Sequence, residues 1–289
     1  MIVYTKLLLT AVFWGGTFIA ARIAAQNVDP FSGSFLRFVV ASICLVVITI
    51  RIEGGLPRLK RHQTIPIILL GMTGVFAYNV FFFLGLKTVT AGRASVIIAM
   101  NPIFIALFAH IFFREGLNRL KVTGILLCVT GAIIVISQGA PLGLLRGEMG
   151  KGDLYILGCV ASWVLYSLIG KITMQEISPL AAVTYSCLIG GALLFAPACM
   201  EGLFKDAAGY RMIDWIGIAY LGFFGSVLGF TWYYEGIRTI GASRAAVFIN
   251  FVPVSAVILA FFLLRETLDI SLIIGGAMVI SGAYLTNRQ

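Results

Sequence analysis

Ten long apolar runs dominate the sequence, and each is about 20 residues long, the length of α-helix that crosses a bilayer. They lie at 4–25, 31–50, 65–86, 91–113, 119–137, 152–171, 179–199, 213–235, 242–264 and 270–286. Strands of an outer-membrane barrel would instead alternate polar and apolar residues over about ten positions. The sequence therefore predicts an all-α polytopic membrane protein with ten transmembrane helices.

The composition agrees with a membrane location. Hydrophobic residues make up 60% of the chain and charged residues 11%, which lies outside the range of soluble globular proteins. The net charge of +9 comes from basic residues dispersed between the apolar runs, so no nucleic-acid surface is expected. The first run continues to about Ala25 without a small-residue cleavage site, and we expect a retained helix rather than a signal peptide.

The sequence lacks the patterns that carry enzymatic chemistry or hold a cofactor. It has two histidines, no HExxH motif and no paired intramembrane aspartates. A GxxxxGK[ST] phosphate loop is also missing, so ATP is not the direct energy source. The five cysteines are scattered without CxxC or CxxH spacing, and we expect them to pack as small apolar side chains. We predict neither an enzyme nor a bound cofactor or metal.

The chain contains an internal duplication. A shift of 151 residues without a gap aligns residues 91–115, AGRASVIIAMNPIFIALFAHIFFRE, with residues 242–266, ASRAAVFINFVPVSAVILAFFLLRE. A shift of 149 aligns the starts of the two halves. Charged residues, glycines and prolines stay in register, which chance similarity between apolar runs would not produce. We predict a first repeat at 1–138, a connecting loop at 139–150 and a second repeat at 151–289.

Five helices in each repeat make the two repeats inverted, because an odd number of crossings starts the second copy from the opposite side. Inverted repeats around a central cavity are typical of secondary transporters. With the N-terminus inside, twelve Lys and Arg residues lie at cytoplasmic ends and eight at outer ends. In the first half alone, eight Lys and Arg residues lie at cytoplasmic ends and three at outer ends. This excess favours cytoplasmic positions for both termini.

Several motifs resemble the EamA-type branch of the drug/metabolite transporter (DMT) superfamily. They are FWGGTFIAAR, FLRFVVAS and GLKTVTAGRASVIIAMNPIFIALFAHIFFREGL in the first half, and SWVLYSLIGK and GIRTIGASRAAVFINFVPVSAVILAFFLLRETL in the second. The resemblance covers almost the whole chain. It implies that spans one to four and six to nine surround the cavity, while spans five and ten pack outside. The second half departs from the first by having Ser186 where the first has Arg37.

Large amphipathic side chains and amides in the middle of the inner spans are the candidate substrate-binding residues. Each could pack between helices instead, but their concentration in the inner spans favours an aromatic, weakly polar pocket. Such a pocket suits amphipathic organic solutes, including bulky amino acids, better than simple ions or sugar phosphates. The candidates are Trp14, Thr17, Tyr78, Phe82, Asn101, Trp163, Tyr166, Trp232, Tyr233 and Asn250.

A second group of residues could couple or gate transport. Arg37 lies within span two, where an unpaired charge is costly, and has either a structural role or a substrate contact. Glu235 is the candidate for proton coupling, with facilitated diffusion as the alternative. Two charged pairs close spans four and nine as interface anchors or gates, and two prolines there are kinks or hinges. These are Arg114, Glu115, Arg265, Glu266, Pro102 and Pro253.

These patterns predict a secondary transporter that exports amino acids or related small metabolites across the bacterial cytoplasmic membrane by alternating access. A drug or toxic-compound exporter and a lipid-linked metabolite flippase of the same fold are the alternatives. An intramembrane enzyme would need a nucleophile or metal constellation that the sequence lacks. The expected partners are a small-molecule substrate and the lipid bilayer, and the protein is either a monomer or a homodimer.

Overall fold

The computed structural model describes residues 2–113, 119–140, 150–240, 248–249 and 251–287. Within these ranges the regular structure is helical and no β-strand occurs. The helices are α1 (Ile2–Ala24), α2 (Pro30–Glu53), α3 (Arg61–Leu70), α4 (Tyr78–Leu86), α5 (Ala91–Ile98), α6 (Asn101–Phe113), α7 (Arg119–Ile136), α8 (Lys151–Thr173), α9 (Pro179–Glu201), α10 (Leu203–Asp206), α11 (Met212–Tyr220), α12 (Gly229–Ile240), α13 (Phe251–Leu264) and α14 (Ile270–Asn287).

Six helical segments in the described part of the chain are long and apolar enough to cross a membrane. They are Ile2–Ala24, Pro30–Glu53, Arg61–Leu86, Lys151–Thr173, Pro179–Glu201 and Met212–Tyr233. Four shorter apolar helices accompany them at Ala91–Ile105, Val122–Ile136, Phe251–Leu264 and Ile270–Gly282. The protein is therefore a multi-pass membrane protein.

The helices α2 and α9 begin and end with the same local chemistry. Each starts with a proline, which fits the first turn because its missing N–H would have no helical partner there. Each ends at a glycine in the left-handed conformation, Gly54 with φ 76° and Gly202 with φ 101°. The two helices pack against each other.

Two π-helical segments interrupt the α-helical pattern. Gly71–Ala77 joins α3 to α4, and Leu221–Leu228 joins α11 to α12. The first segment packs against α9 and the second against α2. Nothing in the apolar periodicity of the sequence distinguishes these stretches from ordinary α-helix, and we did not predict them. Single π-turns within α-helices are often found at functional sites.

Several further contacts pair helices from the two halves of the chain. Helix α1 packs against α13, while α8 packs against α4, α5 and α6. Helices α7 and α14 form a close pair because glycines remove the side chains between them. A Cβ on Gly131 would lie 2.6 Å from Gly275 O, and one on Gly275 would lie 2.6 Å from Gly131 O. The backbones can approach this closely only without side chains.

Candidate functional site

Aromatic side chains from both halves meet in the interior. The Trp14 ring of α1 lies edge-on to Trp163 of α8, with ring centroids 6.4 Å apart, and 5.3 Å from Tyr233 of α12. Trp163 lies 5.3 Å from both Tyr78 and Tyr166. We call the set of Trp14, Tyr78, Trp163, Tyr166 and Tyr233 the aromatic cluster. Separations of 4.5–7 Å at these angles are the favourable geometries for aromatic pairs.

Helical spacing explains how short stretches contribute to this cluster. Tyr78 and Phe82 are four residues apart on one helix face, and their rings stack at 5.8 Å. Trp163 and Tyr166 are three apart on α8. Thr17 is three residues after Trp14, is buried, and donates a 2.6 Å hydrogen bond to the Trp14 carbonyl. The sequence-based prediction therefore selected side chains that do lie together.

One further ring belongs to the cluster and was missed from the sequence. Phe230 is buried and lies 5.8 Å from Trp14 and 5.7 Å from Trp163, nearly parallel to the latter. Its position three residues before Tyr233 on α12 was the available signal. The ring centroid of the candidate Trp232 lies 5.7 Å from that of Phe13. Phe13 is on a different face of α1 from Trp14. The candidate Asn250 lies outside the described residues.

Arg37 connects the two π-helical segments. It is 6% exposed, and its Nη1 donates a 2.6 Å hydrogen bond to Asn79 Oδ1, while its Nε donates to Ser226 Oγ at 3.3 Å. The Asn79 amide in turn donates to the carbonyls of Gly74 and Val75 in the first π segment. The Ser226 hydroxyl donates to Leu221 O in the second. Neutral groups thus stabilise a buried cation between two irregular helix segments.

Trp14 is bonded to the same region. Its indole Nε1 donates a 2.9 Å hydrogen bond to Gly225 O, a carbonyl of the second π segment. A Cβ at position 225 would lie 2.8 Å from Thr17 Cγ2, so any larger residue there would require the Thr17 side chain to shift. The polar edge of the indole therefore bonds to the backbone, and the rest of the ring packs in the aromatic cluster, as is usual for buried tryptophans.

The predicted coupling residue Glu235 forms an ion pair that sequence reasoning did not identify. Its carboxylate accepts hydrogen bonds of 2.8 Å and 2.7 Å from Lys6 Nζ. The Lys6 side chain is 30% exposed and that of Glu235 is 41% exposed. The pair joins α12 to the beginning of α1. Both side chains are half-exposed, so solvent screens the attraction.

In the predicted pair of Arg265 and Glu266, the glutamate contacts the start of another helix. Glu266 accepts hydrogen bonds from the backbone N–H groups of Ala91 at 2.9 Å and Gly92 at 3.1 Å. These donors begin α5, where helical N–H groups lack intrahelical partners. Glu266 therefore joins the end of α13 to the start of α5. The corresponding residues Arg114 and Glu115 lie outside the described part of the chain.

Both predicted prolines lie in helices. Helix α5 ends at Ile98 and α6 begins at Asn101, so the fourth span is interrupted just before Pro102. Pro253 is buried within α13. Asn101 is 7% exposed, and its Oδ1 has no hydrogen-bond partner among the described residues.

A charged cavity of about 730 Å³ lies where the ends of five helices meet. The ends are the first turns of α5, α8 and α14 and the last turns of α7 and α13. Arg93 Nη2 donates to Asp153 Oδ2 at 2.8 Å and to Ile136 O at 2.5 Å. The alignment of residues 91–115 with 242–266 pairs Arg93 with Arg244, but no sequence pattern indicates this cavity. Its charged lining residues are Arg93, Lys151, Asp153, Arg265, Glu266 and Asp269.

Comparison with known proteins decides the family. Residues 1–137 and 150–288 each match the EamA-like transporter family. The chain belongs to this family. This confirms the relationship that the motifs indicated, and it assigns the protein to the transporters. The two EamA matches leave a short stretch between them, beginning after residue 137 and ending before residue 150.

Relatives of this EamA protein are named as transporters. It is 31% identical to the uncharacterized transporter YyaM of Bacillus subtilis over 97% of this chain and 92% of that protein. An uncharacterized transporter of Archaeoglobus fulgidus is 28% identical, with 98% and 96% covered. A probable terminal-alkyne amino-acid exporter of Streptantibioticus cattleyicolor is 28% identical, with 98% and 92% covered.

A protein of known crystal structure shares the fold. The two chains superpose with a TM-score of 0.69 at 21% sequence identity, and the match covers 97% of this chain and 96% of the other. The EamA protein therefore has a helical arrangement that has been observed experimentally.

Proposed function

We propose that the protein exports amino acids or related small amphipathic metabolites across the cytoplasmic membrane. The aromatic cluster carries this proposal. Its rings come from α1, α4, α8 and α12, and the polar groups of Thr17 and Asn79 lie on the same helices. An apolar, aromatic site with few polar groups matches a small solute with an apolar side chain. The relative named as a probable amino-acid exporter supports the same substrate class.

The proposed mechanism is alternating access between two inverted five-helix repeats, at 1–138 and 151–289, linked by 139–150. Reciprocal contacts between α2 and α9 support it. Glu201, the last residue of α9, accepts hydrogen bonds from the N–H groups of Phe31 and Ser32 at the start of α2. Glu53, the last residue of α2, accepts from the hydroxyl of Ser178, which caps α9. Two antiparallel helices with exchanged end contacts are expected from inverted copies.

The proposed topology places both termini in the bacterial cytoplasm. The Lys6–Glu235 ion pair then lies toward the cytoplasmic face, and the contact of Glu266 with α5 lies toward the outer face. Opening either face in turn requires the contact at that face to break. Proton coupling would operate through Glu235, and a transporter without coupling would follow the substrate gradient.

Reconstitution in proteoliposomes tests the proposed function. The expected result is uptake of radiolabelled L-phenylalanine and L-leucine, accelerated by unlabelled substrate on the opposite side. Trp163→Ala is expected to reduce uptake by about tenfold or more, because a buried aromatic contact with an apolar substrate is lost. Trp215→Ala is the matched control, since Trp215 is 39% exposed on α11 outside the aromatic cluster.

The same vesicles distinguish the alternatives. An imposed pH gradient that stimulates uptake in the wild type but not in Glu235→Gln supports proton coupling through Glu235. Transport of cationic dyes without any amino acid would replace the proposal with a drug exporter. Movement of fluorescent lipids between leaflets without amino-acid uptake would replace it with a flippase.

A further inference from the structure

The charged cavity at the ends of α5, α8 and α13 is chemically unlike the aromatic cluster. Its lining contains three basic residues and three acidic residues, so the described charges balance. Its volume of about 730 Å³ is typical of sites that enclose small organic molecules. A phosphate site would require an excess of basic groups, and a metal-cation site would require an excess of acidic ones. Balanced charges instead suit a ligand that carries both signs.

The ion pair in this cavity has unused hydrogen-bonding capacity. Arg93 and Asp153 share one contact of 2.8 Å, and Asp153 is 4% exposed. Asp153 Oδ1 and Arg93 Nε have no hydrogen-bond partner within the described ranges. Leaving a buried donor and a buried acceptor unpaired is unfavourable. The pair is therefore suited to accept one additional partner of each sign.

The neighbouring acidic residues are already bonded. Glu266 accepts the N–H groups of Ala91 and Gly92. Asp269 Oδ1 accepts hydrogen bonds from Leu272 N at 2.7 Å and from Ser271 Oγ at 2.6 Å. Asp269 thereby caps the start of α14. Both of these bonds to Asp269 end on Oδ1, and Asp269 is exposed. Of the three acidic residues in the lining, Asp153 is thus the one with a buried carboxylate oxygen that has no hydrogen-bond partner in the described structure.

We propose that this cavity is a second binding station for zwitterionic amino acids, in which Asp153 binds the ammonium group and Arg93 the carboxylate. An α-amino acid carries these two groups on one carbon, so it can engage both members of the ion pair at once. The proposal rests on the proposed function, which supplies the ligand class. In the proposed topology the cavity lies at the outer face, where an exported amino acid is held on leaving.

Three related probes separate the two charges. L-Phenylalanine carries both groups, phenethylamine carries only the ammonium and 3-phenylpropionate carries only the carboxylate. Binding to the purified full-length protein is measured by isothermal titration calorimetry. Asp153→Asn is expected to weaken the binding of phenylalanine and of phenethylamine by about tenfold or more, because a charged hydrogen bond to the ammonium group is lost. Binding of 3-phenylpropionate should stay unchanged in this variant.

Arg93→Gln is expected to give the opposite selectivity, with weaker binding of phenylalanine and 3-phenylpropionate and unchanged binding of phenethylamine. Asp206→Asn is the matched control, since Asp206 is exposed and ends the short helix α10. Asp153→Glu keeps the charge and should retain phenethylamine binding. This last variant keeps the test decisive if Asp153→Asn does not fold.

Two results would overturn the proposal: equal weakening of all three probes in both variants, which indicates a purely structural ion pair, or unchanged binding of all three. Amino-acid transport together with either result would leave the proposed function intact while removing the second station. Charge-selective binding without transport would establish the station and reject amino-acid export.

Discussion

Arg37 Nη1 donates a 2.6 Å hydrogen bond to Asn79 Oδ1, and Asn79 in turn donates to two carbonyls of the π segment Gly71–Ala77. Through Ser226, the same guanidinium reaches the other π segment, Leu221–Leu228. A single buried cation therefore links the irregular parts of two long helical segments. This arrangement favours the structural role among the two that the sequence left open for Arg37.

Loss of the Arg37 cation should destabilise the protein. Arg37→Gln is expected to lower the free energy of unfolding by about 1.5–3 kcal/mol for each charged hydrogen bond that is lost. Thermal unfolding of the purified protein, followed by tryptophan fluorescence, measures the effect. Arg58→Gln, at an exposed position between α2 and α3, should leave stability unchanged. Equal stability of both variants would show that the guanidinium does not hold the π segments together.

Glu266 should control the first turn of α5. Glu266→Ala removes the acceptor of the Ala91 and Gly92 N–H groups, and amide hydrogen exchange at these two positions is expected to accelerate by about tenfold. Mass spectrometry of the peptide spanning 88–96 provides the measurement. Glu235→Gln should leave exchange in this peptide unchanged, because Glu235 contacts α1 instead. Unaltered exchange in Glu266→Ala would remove Glu266 as the contact between α13 and α5.

A side chain at Gly131 should separate α7 from α14. In Gly131→Ala the new Cβ would lie 2.6 Å from Gly275 O. Such overpacking lowers the free energy of unfolding by about 1–3 kcal/mol. Thermal unfolding in detergent, without a chemical denaturant, measures the loss of stability. Gly209→Ala is the control, because a Cβ there meets no atom within 4 Å. A wild-type melting temperature for Gly131→Ala would contradict the tight packing of these two helices.

Glu176 should make stability depend on pH in the acidic range. Hydrogen bonds from His62 and Gln63, at 2.7 Å and 3.0 Å, lower the pKa of the Glu176 carboxyl. A carboxyl with a lowered folded-state pKa stabilises the protein above its unfolded-state pKa of about 4.3. This stabilisation is lost as the pH falls from there through the lower folded-state pKa. The effect on stability should be small, since the side chains of His62 and Glu176 are both more than half exposed.

Melting temperatures of the wild type and Glu176→Gln between about pH 6 and pH 3 test this dependence. The two proteins are expected to converge at the acid end, where the wild-type carboxyl also becomes neutral. Asp206→Asn serves as the exposed control and should follow the wild-type curve. A constant difference between the wild type and Glu176→Gln at every pH would contradict the role of ionisation.

Much of the candidate site was predictable because its residues follow helical spacing. Tyr78 with Phe82, and Trp163 with Tyr166, lie one helical turn apart, and the structure brings their rings together. The partners of charged residues were not predictable in this way. Lys6 and Glu235 are 229 residues apart, and no local pattern indicates that α1 passes beside α12.

The sequence by itself determined that the chain is helical and lies in a membrane, because runs of about 20 apolar residues can satisfy their backbone hydrogen bonds in a bilayer only as helices. Its motifs also determined the transporter family. Only the tertiary structure decided which polar groups meet: Arg37 with Asn79 and Ser226, Glu266 with the start of α5, and Arg93 with Asp153. The physical reason is that these contacts depend on which helices are neighbours and how they are rotated, and both follow from packing across the whole chain.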